Sequence, residues 1–160
     1  MMEWMILPFK RYADFQGRSR RKEFWMFALL NLLVAAVLAG PFFFSFISAS
    51  IATAGDPNAD AAAIEAMMQG GMGLSAVGVV LYGIYALAAF IPNIAVTVRR
   101  LHDRDMSGWW YLGLVVGGLV PFVGFLASIA LFVLMLLPGT AGSNRFGQDP
   151  KDPYAEDVFA

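Results

Sequence analysis

Two stretches of this chain, residues 66–98 and 106–144, contain no Lys, Arg, Asp or Glu. Between them lies a knot of charge, Arg99-Arg100-Leu101-His102-Asp103-Arg104-Asp105. Apolar runs of that length have no ordinary place in a small soluble domain, and charge that dense does not sit in hydrocarbon. The pattern therefore predicts an all-α polytopic membrane protein, a four-helix transmembrane bundle with spans over 24–47, 76–98, 108–119 and 122–137 and short interfacial helices. The first run is interrupted only by Asn31 and a few serines, with Pro41 near its far end, where a kink or termination is cheap. Its 24 residues reach roughly 36 Å at ~1.5 Å per residue, enough to cross with some tilt. Ala52-Thr53-Ala54 before Gly55 has the form of a processing site. The run is far longer than the ~7–15 residues of a signal h-region, so no cleavage after Ala54 is expected.

Residues 56–58 break the pattern, and 59–69 read as a short surface helix with Ile64, Met67 and Met68 on one face, packed on membrane or bundle. The stretch 108–137 is long for one pass and short for two. Gly117-Gly118, Pro121 and Gly124 interrupt it, which predicts a tight hairpin of two short spans, with a single kinked helix as the alternative.

Charge placement favours the hairpin. Six of the eleven Lys and Arg residues precede Phe24, three lie at 99–104 and two follow Pro138, whereas 55–75 holds three acids and no base. Four spans put every basic residue on one side, which the positive-inside rule makes cytoplasmic, together with the N-terminus. The expected organisation is a basic interfacial segment over 1–23, a transmembrane domain over 24–138 and a cytoplasmic tail over 139–160. A 59% hydrophobic content, 14% charged residues and a mean hydropathy of +0.63 agree with this class. With no cysteine there is neither disulfide nor thiolate metal site.

Three polar clusters meet at the cytoplasmic face in this topology. Their motifs are F-x-G-R-x-x-R-x-x-F-W at Phe15, Gly17, Arg18, Arg21, Phe24 and Trp25; R-R-L-H-D with S-G-W-W at Arg99 to Asp103 and Ser107 to Trp110; and P-G-x-x-G-x-N-R-F-G-x-D-P from Pro138 to Pro150. In these three motifs, in order and over nearly its whole length, the chain resembles the DUF805 membrane proteins of bacteria. The resemblance implies a polytopic inner-membrane protein and supplies no reaction.

The residues themselves constrain the chemistry further. His102 is the single histidine, and His102-Asp103 lacks the further ligands that a coordination shell needs. Asp103-x-Asp105 lacks the acids of a two-metal site, and no serine has a His-plus-acid pair placed by motif. No catalytic group, metal or cofactor is expected. Arginines beside Trp109 and Trp110 suit the interface, where guanidinium groups reach phosphates and indoles sit at headgroup level. The groups expected to face an anionic headgroup or partner are Arg18, Arg21, Arg99, Arg100, His102, Asp103, Trp109, Trp110, Asn144 and Arg145. Asp103 and Asp105 are expected to pair with nearby arginines, and Glu23 to lie in an exposed basic run.

Asn31 and Asn93 fall at similar depth, so Asn31 is expected to meet Asn93 or Thr97 within the membrane. Gly113 and Gly117 give a G-x-x-x-G face for close helix contact. Trp4, Ile6, Leu7 and Phe9, ahead of Lys10 and Arg11, place the extreme N-terminus along the inner interface. The expected function is a non-enzymatic inner-membrane protein that binds anionic lipid headgroups or a protein partner at its cytoplasmic face. A transporter or channel subunit, working as a homo-oligomer, and an intramembrane enzyme are the alternatives. No nucleic-acid partner is expected.

Overall fold

A computed structural model describes residues 2–52, 54, 61, 65 and 72–151. The surface helix expected over 59–69, with Ile64, Met67 and Met68, lies outside the described residues. Among those described there are six helices, α1 (Met2–Lys10), α2 (Arg21–Leu38), α3 (Gly40–Ala52), α4 (Met72–His102), α5 (Trp109–Gly117) and α6 (Val123–Leu136), and one isolated antiparallel bridge, Asn144 to Gly147. Two compact units result: Met1–Ala28 with Phe90–Ala160, and Leu29–Ala89.

The first apolar run is two helices rather than one. Pro41 has no N–H to give the carbonyl four residues back and its ring crowds that carbonyl, so the chain breaks at Ala39 and turns by 56° between α2 and α3. The break falls two residues before the proline, nearer the middle of the expected span than its far end.

α4 is a single helix of 31 residues, and its stretch Ser75–His102 is the one uninterrupted helix, among the described residues, long and apolar enough to cross a membrane. Only 22% of its most apolar window is buried, unlike the core helix of a soluble protein. Val77, Val80, Leu81, Ile84 and Leu87 instead form an exposed aliphatic stripe. If α2 and α3 act as one bent span, two crossings are present.

The charged segment expected to be a loop begins as the last turn of α4. The helix closes after it with Asp105 left-handed at φ 58°, Met106 N–H bonded to Leu101 O at 3.0 Å and Asp105 N–H to His102 O at 3.0 Å. That pair of bonds is a Schellman closure.

The Gly/Pro cluster does divide 108–137. α5 has nine residues and α6 fourteen, lengths of roughly 14 and 21 Å, so both are shorter than the ~30 Å hydrocarbon core. They pack together, and a Cβ on Gly124 would lie 2.5 Å from Gly118 O. Gly118 and Gly124 make the close approach; at Gly113, expected to do so, a Cβ would meet nothing within 4 Å. Both ends of this pair return to the end of α4. Gly108 lies against Val98 and His102, and Leu137 O accepts from Arg100.

Candidate functional site

The interior of the first unit holds charged side chains beside its apolar ones. Arg18, Glu23, Arg99, Arg100 and Asp103 are each at most 6% exposed, and each is held by protein groups. Arg99 and Arg100 are neighbours on the last turn of α4 and turn to different partners. Arg99 bonds Glu23 at 2.8 Å and Asp14 O at 2.8 Å, with the Asp14 carboxylate 3.8 Å away. Glu23 also accepts from Ser19 Oγ at 2.8 Å, and Ser19 N–H is tied to Arg99 O at 3.1 Å. Arg100 instead pairs with Asp103 and donates to Leu137 O.

Asp103 carries two guanidiniums, since Arg18 donates to its Oδ1 at 3.0 Å from a position 85 residues earlier. Arg18 also reaches the tail, with Thr140 O and Gly142 O each at 2.6 Å. Thr140 N–H returns to Asp103 O at 2.8 Å. A side chain at position 139 would occupy the space of the Asp103 carboxylate, which is why Pro138 is followed by a glycine.

Three successive carbonyls at the end of α6 each take an arginine: Leu136 O from Arg21 at 3.3 Å, Leu137 O from Arg100, and Pro138 O from Arg104 at 3.0 Å. Helix-terminal carbonyls have no partner within the helix, and cations suit the negative end of its dipole. Pro138 ends α6 by holding Leu137 extended at ψ 149°. The arginines supply what that ending removes.

The tail motif N-R-F-G is a tight turn. Asn144 and Gly147 exchange both backbone bonds at 3.0 Å, and Asn144 Oδ1 accepts from Phe146 N–H at 2.9 Å. Asn144 Nδ2 then donates to His102 O at 2.9 Å. The turn lays Phe146 flat on the His102 ring, with centroids 3.9 Å apart, and brings Arg145 to Asp105 at 3.1 Å. His102 Nδ1 sits 3.2 Å from Gly17 O, at a glycine whose φ of 75° few other residues adopt.

These contacts correct several expectations. Arg18, Arg99, Arg100 and Asp103 are interior groups, because three guanidiniums facing two carboxylates, with Asp14 beside Arg99, compensate one another's charge inside the protein. His102 and Asn144 are likewise occupied by backbone and ring partners. Glu23 is buried on Arg99 rather than exposed in a basic run. Arg21, Lys22, Trp109, Trp110 and Arg145 remain on the surface. Trp4 packs beneath Arg20 and Lys22, whose charges stand 5.8 and 5.6 Å from its ring, and Phe9 meets Phe27 edge to face. Asn31 accepts from Tyr85 at 3.0 Å, a partner that sequence reasoning missed, and Thr97 Oγ1 donates to Asn93 O of its own helix at 2.7 Å.

Among the described residues no group of three or more His, Cys, Asp or Glu side chains could hold a metal ion. Outside the spans, burial raises the pKa of Asp14, but the Arg11 guanidinium, the Gln16 N–H and the Arg99 charge outweigh it and hold the carboxyl below its ordinary value.

Comparison with known proteins agrees with the reading of the chain as a membrane protein. Residues 12–148 match the family described as Protein of unknown function (DUF805). The chain is 36% identical to Inner membrane protein YhaI of Escherichia coli (strain K12) over 150 residues, 94% of this chain and 97% of the relative. It is also 36% identical to Inner membrane protein YhaH of the same strain over 154 residues, 94% and 98%. Uncharacterized protein YiiR, again from that strain, is 34% identical over 79 residues, 38% of this chain and 54% of the relative. No solved structure matches. With the family matched over most of its length and its apolar helices turned outward, this membrane protein belongs to the DUF805 family.

Proposed function

We propose that this chain is a non-enzymatic, multi-pass inner-membrane protein whose cytoplasmic face binds anionic lipid headgroups. The observation that carries the reading is the division of the basic residues: Arg18, Arg99 and Arg100 are consumed inside, while Arg21 and Lys22 stay exposed beside the Trp25 indole at the start of α2. Surplus cations next to an amphipathic ring at a helix end are what an anionic leaflet attracts, at about 1 kcal/mol per basic residue near the surface. Full-length protein purified in a neutral detergent is expected to retain phosphatidylglycerol over phosphatidylcholine in native mass spectrometry. Arg21→Gln with Lys22→Gln abolishes that preference. Equal retention of both lipids by the wild type refutes the reading, and solute flux in reconstituted vesicles would favour a transporter subunit instead.

In the proposed topology α2–α3 and α4 are the first two passes and α5 and α6 the short third and fourth, so both termini are cytoplasmic. Local bilayer thinning, at a fraction of a kcal/mol per Å, accommodates the short pair. A cysteine placed at Asn58 is expected to react with an impermeant reagent in intact cells, and one at Ser143 to be spared. Reaction at Ser143 overturns the topology.

A further inference from the structure

We propose that the groove between α2, α5 and α6 holds an acyl chain of an anionic phospholipid whose phosphate rests on Arg21 and Lys22. This rests on the headgroup reading above and extends it from a charged surface to a built lipid site. Two cavities that share one wall residue carry it. The outer one, about 380 Å³, is lined by Arg21, Lys22, Trp25, Met26 and Leu136. The inner one, about 480 Å³, runs from Trp25 and Ala28 along Phe132, Ser128 and Gly124, a size within the ~300–1,000 Å³ of small-molecule pockets. Trp25 lines both.

The order of groups along the helices matches the order of groups in a phospholipid. On α2, Trp25 lies one turn and Ala28 two turns past Arg21, about 6 and 10 Å further along the axis. On α6, Leu136, Phe132, Ser128 and Gly124 recur every four residues on one face and extend roughly 18 Å from the mouth. Cations thus stand at one end only. Beyond them the wall is apolar, because the one hydroxyl on it, Ser128 Oγ, is committed to Gly124 O at 2.6 Å. Neither lining contains a carboxylate.

Arg21 donates one N–H to Leu136 O at 3.3 Å, which ties the exposed guanidinium to a residue that lines the mouth. The indole between cation and groove lies edge-on to Phe132, with centroids 5.6 Å apart. A neutral lipid would leave the cationic mouth unmatched, and a free phosphate would leave the groove unused. A single anionic amphiphile satisfies both.

The test measures thermal shifts of the full-length protein in a neutral detergent with inorganic phosphate, short-chain phosphatidylglycerol and long-chain phosphatidylglycerol. Affinity is expected to rise along that series, by up to about fourfold per methylene that enters the groove, the equivalent of ~0.8 kcal/mol. Ala127→Phe, which fills the groove, is expected to abolish the dependence on chain length and keep the weak phosphate response, and Arg21→Gln to weaken all three probes. If wild-type affinity does not depend on chain length yet falls in Arg21→Gln, the groove proposal fails and the headgroup reading stands. Equal binding of phosphatidylcholine defeats both. A dimer lost in Ala127→Phe, with no response to lipid, assigns the groove to a second copy of the chain and overturns the proposal.

Discussion

The two units of this protein bury opposite things. In Met1–Ala28 with Phe90–Ala160 the interior holds Arg18, Glu23, Arg99, Arg100 and Asp103 beside Phe27, Leu101 and Met135. In Leu29–Ala89 the buried side chains, among the described residues, are Ala39, Ala49, Ser75 and Ala89, while leucines, valines and phenylalanines face outward. Aliphatic groups gain nothing by leaving lipid for a protein interior, so the second unit relies on close approach of small residues, with the Gly78 backbone against the Leu38 carbonyl, together with the Tyr85 to Asn31 hydrogen bond. The first unit sits where helices end and carbonyls and charges need partners, so directional bonds do the holding. Each unit is exposed to a different kind of damage.

The largest effect belongs to the buried ion pairs. Removing one member leaves a charge interred without compensation, a loss on the order of 3–5 kcal/mol. Asp103→Asn strands both Arg18 and Arg100 and is expected to lower the melting temperature in detergent more than any exposed charge change. Glu23→Gln, which leaves Arg99 with only the half-exposed Asp14 carboxylate 3.8 Å away, should approach it. Adding Arg100→Gln to Asp103→Asn recovers only part of the loss, because Arg18 stays unpaired. A melting temperature unchanged by Asp103→Asn would show that this clasp of ion pairs does not hold the unit.

A smaller effect, confined to the other unit, separates close approach from bonding. Gly78→Ala drives a Cβ into the Leu38 carbonyl, which backbone cannot yield cheaply, at a cost of roughly 1–3 kcal/mol as overpacking. Gly83→Ala, on the same helix with nothing within 4 Å, is expected to be neutral or to stabilise by up to ~1 kcal/mol through helix propensity. Equal melting temperatures for the two variants would remove the contrast between the units.

These contrasts also mark what a sequence of this kind makes legible. The break at Gly118–Phe122 could be read directly, and Pro41 marked a kink in the first run though not its division at Ala39, because a missing N–H or Cβ acts on the nearest turn. The clasp was legible only as three motifs, since charge pattern places Arg18 and Asp103 in polar segments but does not say that chain 85 residues apart is brought together. Glu23 was misread for the same reason: beside Arg20, Arg21 and Lys22 it looks solvated, whereas the fold turns that one position to Arg99. Gly139 carried no signal beyond its motif, because its need for empty space comes from the Asp103 carboxylate lying on it.

The smallest effect lies at the rim of the clasp, where Asp14 meets Arg11 at 2.7 Å and stands 3.8 Å from Arg99. Its carboxyl is held below the ordinary value in the folded protein. A lowered folded pKa means that the unfolded chain binds the proton more readily, so the contribution is complete above the unfolded pKa, ~3.9, and fades as pH falls through the folded value. Asp14 is 39% exposed, so solvent screening confines the pair to about 0–1 kcal/mol. The melting temperature of Asp14→Asn should therefore fall slightly below that of the wild type at neutral pH, and the gap should close below the ordinary carboxylate range. A gap that widens on acidification would mean that Asp14 is stabilised as the acid, and that Arg99 draws its compensation from Glu23 alone.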